Sequence, residues 1–569
     1  MDSPAARQLA LGLAATLTAA GCNAIMGFDR GQSSEPSAGA GGQTTTSSGT
    51  GGTAGGAGAG GNGGTGLGPI EQPCGAPGEC PVGYHCVDGY CCTTPCVGLC
   101  EACDVAGHLG ECAPVPPATD PDEECVDDGI CDGSGACARG NTLFSLWFGD
   151  AADDQRAEDV SIDGAGNVYV TGSFRGDVWF GGETFVAGDN PDGFIVKFNT
   201  HGQHLWSHAY GGDGTSPACV GRGVAVDDDR VLLVGNAGNG VSFGCSSHFA
   251  SALFTDLFFA MLGGNDTCAW SQVHGVFTHW QYARKVAFDP QGNALVVGSY
   301  FGSPNLGTPP LPSAEGEDAF LVKLTADGTY VWGHSFGESA EQRAVAVAAR
   351  GDTVAVAGWF EGDVDFGDGM VSSAGGFDGF VALFDDDGDL LWRKQLGDGQ
   401  DQRAYGVALD GAGNVVVVGE FDGAITLDGE TITSAGGSDL FLVKLDANGD
   451  LLFSAAFGDG SFQQARDVAV DSSNHIVVVG NGRGAFGLGG QSYQPLGNID
   501  VVIAKYTPDG THLWSYRYGG AGDQIVRAVD VGEDDAIVLV GNYTGPSNFG
   551  GATLLPYGAE DIFVVKLAP

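Results

Sequence analysis

Cations are scarce in this chain. Only 23 Lys and Arg stand against 71 Asp and Glu, a formal charge of −48 and a pI near 4.1. Such a balance leaves no basic face for nucleic acid or anionic lipid headgroups. Beyond the N-terminus there is no unbroken apolar run of 18 residues, so the body of the chain does not cross a membrane as a helix. The 99 glycines follow no three-residue period, which excludes collagen. Ser-x-x-Lys, Gly-x-Ser-x-Gly, His-Glu-x-x-His and phosphate-loop patterns are missing from any assignable context. What is present is 43% hydrophobic residues over 569 positions, too long for one ordinary core unless the chain closes a repeat array.

Four segments follow from composition. Residues 1–22 read as an export signal: Arg7, an apolar stretch from Leu9 to Ala20, then Ala19-Ala20-Gly21-Cys22. That ending resembles a bacterial lipobox, which implies lipidation of Cys22 and a lipid anchor. Residues 23–69 are rich in Gly, Ser, Thr and Ala and read as a disordered linker, since they cannot bury enough apolar area to offset ordering entropy. Residues 70–139 hold twelve cysteines between Cys74 and Cys137. An even count in a small exported segment predicts a disulfide-rich module of open connectivity. Cys100 and Cys103 have zinc-like spacing, but an oxidising compartment favours disulfides.

Residues 140–569 are an internal repeat. Three landmarks recur seven times at spacings of 60 to 64. The first is a glycine closing an apolar strand: Gly172, Gly235, Gly298, Gly358, Gly419, Gly480 and Gly541. The second is the aspartate of an Asp-x-Phe-like motif: Asp192, Asp256, Asp318, Asp378, Asp439, Asp500 and Asp561. The third is an aromatic: Phe144, Trp206, Trp270, Trp332, Trp392, Phe453 and Trp514. Each unit contains four strands, A to D. The B strands are apolar on both faces (Val415-Val416-Val417-Val418) and must be covered on both, as in stacked blades. The last unit ends after a C strand, while Phe144 occupies a D position ahead of the first A strand. This predicts an all-β, seven-bladed β-propeller whose seventh blade takes its outer strand from Thr142–Gly149.

The long period predicts an elaborated B–C loop, a small hairpin, on every blade. With the D–A loops it should form a loop-rich binding face. Arg156, Arg222, Arg284, Arg343, Arg403, Arg466 and Arg527 recur near the start of each A strand. We expect each to cross the B-strand glycine and pair with the repeat aspartate of its own blade as a structural lock. A disulfide is expected between Cys219 and Cys245, with Cys268 left over. The acidic run Asp385-Asp386-Asp387-Gly388-Asp389 hints at calcium but lacks EF-hand spacing and reads as a turn. His201, His204 and His208 read as surface rather than metal ligands.

The string Gly166-Asn167-Val168-Tyr169-Val170-Thr171-Gly172 resembles the bacterial β-propeller repeat called the SBBP type. Gly292-Asn293-Ala294-Leu295-Val296-Val297-Gly298 and Gly413-Asn414-Val415-Val416-Val417-Val418-Gly419 keep its Gly-Asn start and closing Gly, without the Tyr and Thr. The resemblance implies a surface or secreted bacterial protein and no shared catalytic residues. Thr325-Ala326-Asp327-Gly328-Thr329-Tyr330-Val331-Trp332 is similar to a sialidase Asp-box with its Gly one place early. No arginine triad or tyrosine nucleophile can be assigned to it from sequence. The resulting expectation is a non-catalytic binding or scaffold protein of the cell surface or outer membrane, or secreted. Its expected partner is a protein or glycan of the envelope, bound by a monomer without a cofactor, calcium being the one candidate ion. The alternatives are a propeller hydrolase or lyase acting on an extracellular polymer, and an outer-membrane assembly scaffold.

Overall fold

A computed structural model describes the backbone of short two-stranded ladders between residues 85 and 138. It also describes residues 140–569, apart from loop positions 151–153, 212–217, 239, 246–253, 276–278, 308–309, 313 and 338–339. The export signal with Cys22, the Gly-rich linker and the connectivity of the Cys-rich module lie outside the described residues.

Residues 140–569 form seven antiparallel sheets, each with four principal strands, arranged as a ring. In blade 5 the strands are A (Gln402–Leu409), B (Val415–Phe421), C (Asp439–Leu445) and D (Leu451–Phe457). Strands B and C are buried along their whole length, as two-sided apolar runs require. The seventh blade pairs Asp561–Leu567 with Thr142–Phe148, matching Val564 to Leu146 and Lys566 to Phe144. One strand from the N-terminal side and three from the C-terminal side therefore close the ring. The core consists of layers between neighbouring blades; one joins Ala355, Val381 and Leu383 of blade 4 to Val417, Phe441 and Val443 of blade 5.

Blades radiate from an axis, so the gap between them widens outward and must be filled to native density. The B–C insertions fill it. They leave the D–A loop face but fold down the outer side instead of standing on that face. Phe180 of the first insertion packs between Phe194 of its own C strand and Phe148 of the preceding D strand, at centroid distances of 4.7 and 5.1 Å. Phe243 sits likewise between Phe258 and Tyr210, Phe366 between Phe380 and Phe336, and Phe549 between Phe563 and Tyr518. In blade 5 the hairpin Ala424–Leu427/Glu430–Thr433 reaches the far end of the D strand, where Asp428 accepts hydrogen bonds from Leu451 N (2.8 Å) and Lys394 Nζ (2.9 Å). Paired hairpins occur in blades 1, 4, 5 and 6 among the described residues.

This descent corrects the disulfide expectation. Cys245 lies in the second insertion and is carried to the C–D end of its blade, where it bonds Cys268. Cys219 is a free, buried thiol. It occupies the place that Gln155, Gln281, Gln342, Gln402, Gln463 and Gln524 hold in the other blades, all fully buried. There the Gln side chain ties blades together: Gln402 Nε2 donates to Asp422 O and Asp398 Oδ1, while its Oε1 accepts from Asp398 N. Cys219 keeps the interblade backbone bond to Pro191 O (3.0 Å). Burial pushes its thiol up to about 11. Peptide mapping without reduction should join 245 to 268, and Cys219 should resist alkylation at pH 8 until denaturant is added.

The expected Arg–Asp lock is also corrected. Among the described contacts, no repeat arginine meets the repeat aspartate of its own blade. Arg156 pairs with Glu560 (2.7 Å) and Asp154, Arg343 with Glu317 and Glu341, and Arg403 with Asp401 and Glu420. The aspartates instead pack against the glycine that ends their own D strand: Asp378 against Gly397, Asp439 against Gly458, and Asp561 against Gly149 of the clasp. Asp378 and Asp439 accept amides of the approaching loop, Ala374 N and Ala435 N. One repeat aspartate, Asp500, does pair within its blade, with the D-strand Arg517 (2.7 Å) and not with a repeat arginine. A recurring set of intrablade ion pairs lies at the other face, from a C-strand lysine to the A–B turn: Lys197–Asp163, Lys323–Asp289, Lys444–Asp410 and Lys505–Asp471, at 2.8 to 3.2 Å. The Gly-Asn pair explains that turn. Gly413 takes φ +79°, and Asn414 donates back to Asp410.

Burial pushes Asp163, Asp289 and Asp410 up, but the asparagine, amide and lysine donors outweigh it and hold each carboxyl below its usual range. A depressed folded pKa stabilises above the unfolded pKa and is lost as pH falls through the folded one. Stability should therefore decline below about pH 4. Lys444→Met, which strands a buried carboxylate, should cost about 3 kcal/mol in urea unfolding at pH 7.

Candidate functional site at the mouth of the channel

The A strands line the central channel. Each carries a bulge near its upper end, the end toward the D–A loops. The register skips Glu158, Arg222, Arg284, Val345, Tyr405, Arg466 and Arg527, one residue per blade. The repeat glycine of strand B makes the bulge possible. A Cβ on Gly172, Gly298, Gly358 or Gly419 would run into the carbonyl oxygen of Arg156, Tyr282, Arg343 or Arg403. The glycine thus admits a neighbouring backbone and not, as expected, an arginine side chain.

The seven repeat arginines occupy two registers. Arg156, Arg343 and Arg403 precede the bulge and pair with carboxylates, among them the buried Glu317 and Glu420. Arg222, Arg284, Arg466 and Arg527 are bulge residues and converge on the channel mouth. With Glu158, Lys285, Val345, Trp359, Tyr405 and Asp467 they enclose a cavity of about 290 Å³. Five of the 23 basic residues of the chain meet here against two carboxylates, a local formal charge of +3 in a molecule of −48.

The four arginines are not equivalent. Arg222 Nε donates to Asn236 Oδ1 (2.5 Å), and Arg284 reaches Ser299 Oγ and Glu317 (3.3 Å). Burial, then the neighbouring Arg222, pull the Arg284 guanidinium down to about 10. Arg466 stacks on the Tyr405 ring at 4.8 Å, but no carboxylate lies within ion-pair distance of Arg466 or Arg527 among the described contacts. The buried Nε atoms of both lack acceptors. Burial and Arg527 together lower Arg466. Unmatched guanidinium groups at close quarters offer hydrogen-bond donors and charge that suit an anion.

Lys285 forms the floor. Its Nζ reaches across to Asp159 (2.5 Å) and Asp467 (3.1 Å), so blades 1, 3 and 6 meet on the axis. Burial alone would lower Lys285; the two carboxylates outweigh it and raise it. Beneath lies a second chamber of about 290 Å³, lined by small residues such as Ala225, Ala348 and Ala408 and by Asp530, which burial pushes up to about 7. The Lys285 bridge crosses the channel between the two cavities, both of which it lines together with Asp467.

Other sequence candidates resolve locally. Asp385 Oδ1 accepts the amides of Asp387 and Asp389, a turn. The Asp-box-like stretch is a C–D turn, and its Trp332 Nε1 bonds Asp386 O of the next blade, as Trp206, Trp270 and Trp392 do in theirs. His201, His204 and His208 take separate partners: Thr200, Ser207 and Asp266. No group of three or more His, Cys, Asp or Glu placed to hold a metal occurs among the described residues.

No family model matches the chain. An uncharacterised WD repeat-containing protein of Acanthamoeba polyphaga mimivirus is 22% identical over 217 residues, covering 32% of this chain and 16% of that protein. The chain therefore matches only a sixth of that relative's length. Among solved structures, a chain of a mitotic checkpoint complex shares 10% identity at a TM-score of 0.38, covering 76% of this chain and 93% of its own. Sqt1 from Chaetomium thermophilum shares 10% at 0.36, covering 76% and 100%. The propeller domain of the Trilobed protease from Pyrococcus furiosus shares 7% at 0.37, covering 71% and 97%. None of these likenesses assigns an activity, and the seven-bladed ring stands on the strand pairing above.

Lys285→Met removes the one cation between Asp159 and Asp467. It should cost about 3 kcal/mol at pH 7. Adding Asp159→Asn and Asp467→Asn should recover most of that loss in the same unfolding measurement.

Proposed function

We propose that this is a non-catalytic binding or scaffold protein of the bacterial envelope, exported and anchored by lipid at Cys22, that takes an anionic ligand at the channel mouth. One observation carries the reading: four arginines, only one of which (Arg284, to Glu317) has a carboxylate within ion-pair distance among the described contacts, converge on a single cavity in an otherwise strongly acidic molecule. The protein has nothing to gain in stability from that convergence, since like charges oppose one another there. The export signal, the Cys-rich segment and the SBBP-type string support an envelope address. The expected partner is a protein or glycan carrying an acidic group, with calcium dispensable.

The test is crosslinking and affinity capture from envelope extract with the full chain, with and without calcium. We expect a partner retained by the wild type and lost by Arg466→Glu/Arg527→Glu. An unchanged set of captured partners would overturn the reading.

A second reading, a hydrolase of an extracellular polymer, is favoured by one contact. Tyr405 Oη donates to Glu420 Oε1 at 2.9 Å, a phenol against a carboxylate, beside the arginines. Burial, and after it Glu420, hold the phenol above its ordinary range, so it stays protonated. Release of the aryl group from aryl uronides, abolished by Tyr405→Phe, would establish this reading in place of the first.

A further inference from the structure

The mouth is chemically two-sided. Going round the ring, blades 2 and 3 present Arg222 and Arg284, blades 4 and 5 present Val345 and Tyr405, and blades 6 and 7 present Arg466 and Arg527. Behind the apolar arc Trp359 stands edge-on to Tyr405 at 5.3 Å. A ligand that satisfies both sides carries an anionic group and an apolar face on one small frame.

Three further constraints narrow it. The Lys285 bridge spans the channel below the cavity and stands in the way of a threaded polymer, so the end of a chain is the better fit. Outside the mouth the molecule is acidic, and that field repels polyanions at ordinary ionic strength, where charges act over about 10 Å. The ligand is therefore lightly charged. The walls also offer acceptors for hydroxyl donors, the carboxylates of Glu158 and Asp467. Inorganic phosphate would meet the arginines but leave the aromatic arc and most of the 290 Å³ unused.

Resting on the reading of the mouth as a binding site, we propose that it holds the terminal uronic acid of an acidic glycan. The planar carboxylate lies between the terminal guanidinium nitrogens of Arg466 and Arg527, two mouth arginines with no carboxylate within ion-pair distance among the described contacts. One face of the pyranose ring lies over Tyr405, as aliphatic C–H surface packs on aromatic rings. The sugar hydroxyls turn to Glu158 and Asp467, and the rest of the glycan leaves through the open upper face.

The test is saturation-transfer NMR and titration of the full chain at low salt with methyl glucuronide and methyl galacturonide. Methyl glucoside, acetate and inorganic phosphate serve as controls. We expect at least one uronide to bind at least tenfold tighter than the glucoside and than either small anion, and the affinity to fall as salt rises. Arg466→Met/Arg527→Met should lose that preference, and so should the milder Arg527→Gln, with melting temperatures near the wild-type value. Tyr405→Leu should weaken uronide several-fold without altering acetate. Equal binding of acetate or phosphate would reduce the site to a general anion site. Equal binding of the glucoside, or uronide binding indifferent to both arginine changes, would overturn the assignment. No binding by any probe, with the arginine-dependent capture intact, would overturn the sugar class alone; loss of both would overturn the binding reading as well.

Discussion

The close approach of two backbones at the repeat glycines is the constraint on which the rest of the molecule depends. Where strand B passes through Gly172, Gly298, Gly358 or Gly419, the carbonyl of strand A comes so near that no side chain fits between. That approach bulges strand A and turns one residue of each blade inward. The seven inward residues then define the channel mouth. Any Cβ at those glycines would flatten the bulge and rotate the mouth residues away, so the feature that reads in sequence as a strand terminator also builds the site. Asn481 and Asn542 fix the same geometry from the neighbouring blade by accepting from Val526 N and Ala157 N.

The ring solves a second geometric problem with the length of its repeat. Flat sheets fanned around an axis leave wedges, and aromatic insertions occupy them. The same Asp-x-Phe motif serves both ends of the problem. Its aspartate braces the loop beside the D-strand glycine, and its phenylalanine receives the insertion. Because each insertion also touches the preceding blade, the outer shell is continuous. In blade 7 the segment Ser547–Asn548 even pairs with Gly519 and Gly520 of blade 6. Blade 2 fastens its insertion with a covalent bond, Cys245–Cys268.

Blade number, strand order and the closing strand were legible because they depend on period and on alternation of apolar runs, which sequence carries directly. The lock within each blade was not. Seven arginines near one position looked like one role, but a bulge separates Arg403 from Arg466 in function although both begin an A strand. The Lys–Asp pairs had their own signal, a lysine in each of five C strands (Lys197, Lys323, Lys444, Lys505 and Lys566) opposite an Asp-containing turn, and the buried glutamines recur as regularly. The disulfide misled for a different reason. Loop order tells which face a loop leaves from, and packing decides where its tip comes to rest. Convergence of Arg222 and Arg284 with Arg466 and Arg527 is a property of ring closure, since the two pairs, on blades 2–3 and 6–7, are far apart in sequence.

The closing strand also gives the ring a polarity. Thr142 pairs with Leu567 at the C–D end of the seventh blade, and Gly140 hydrogen-bonds to Pro569 there. The chain thus enters the ring at the face opposite the arginine mouth. One seven-residue strand therefore does two jobs, closing the seventh blade and fixing which face of the ring the preceding chain leaves from.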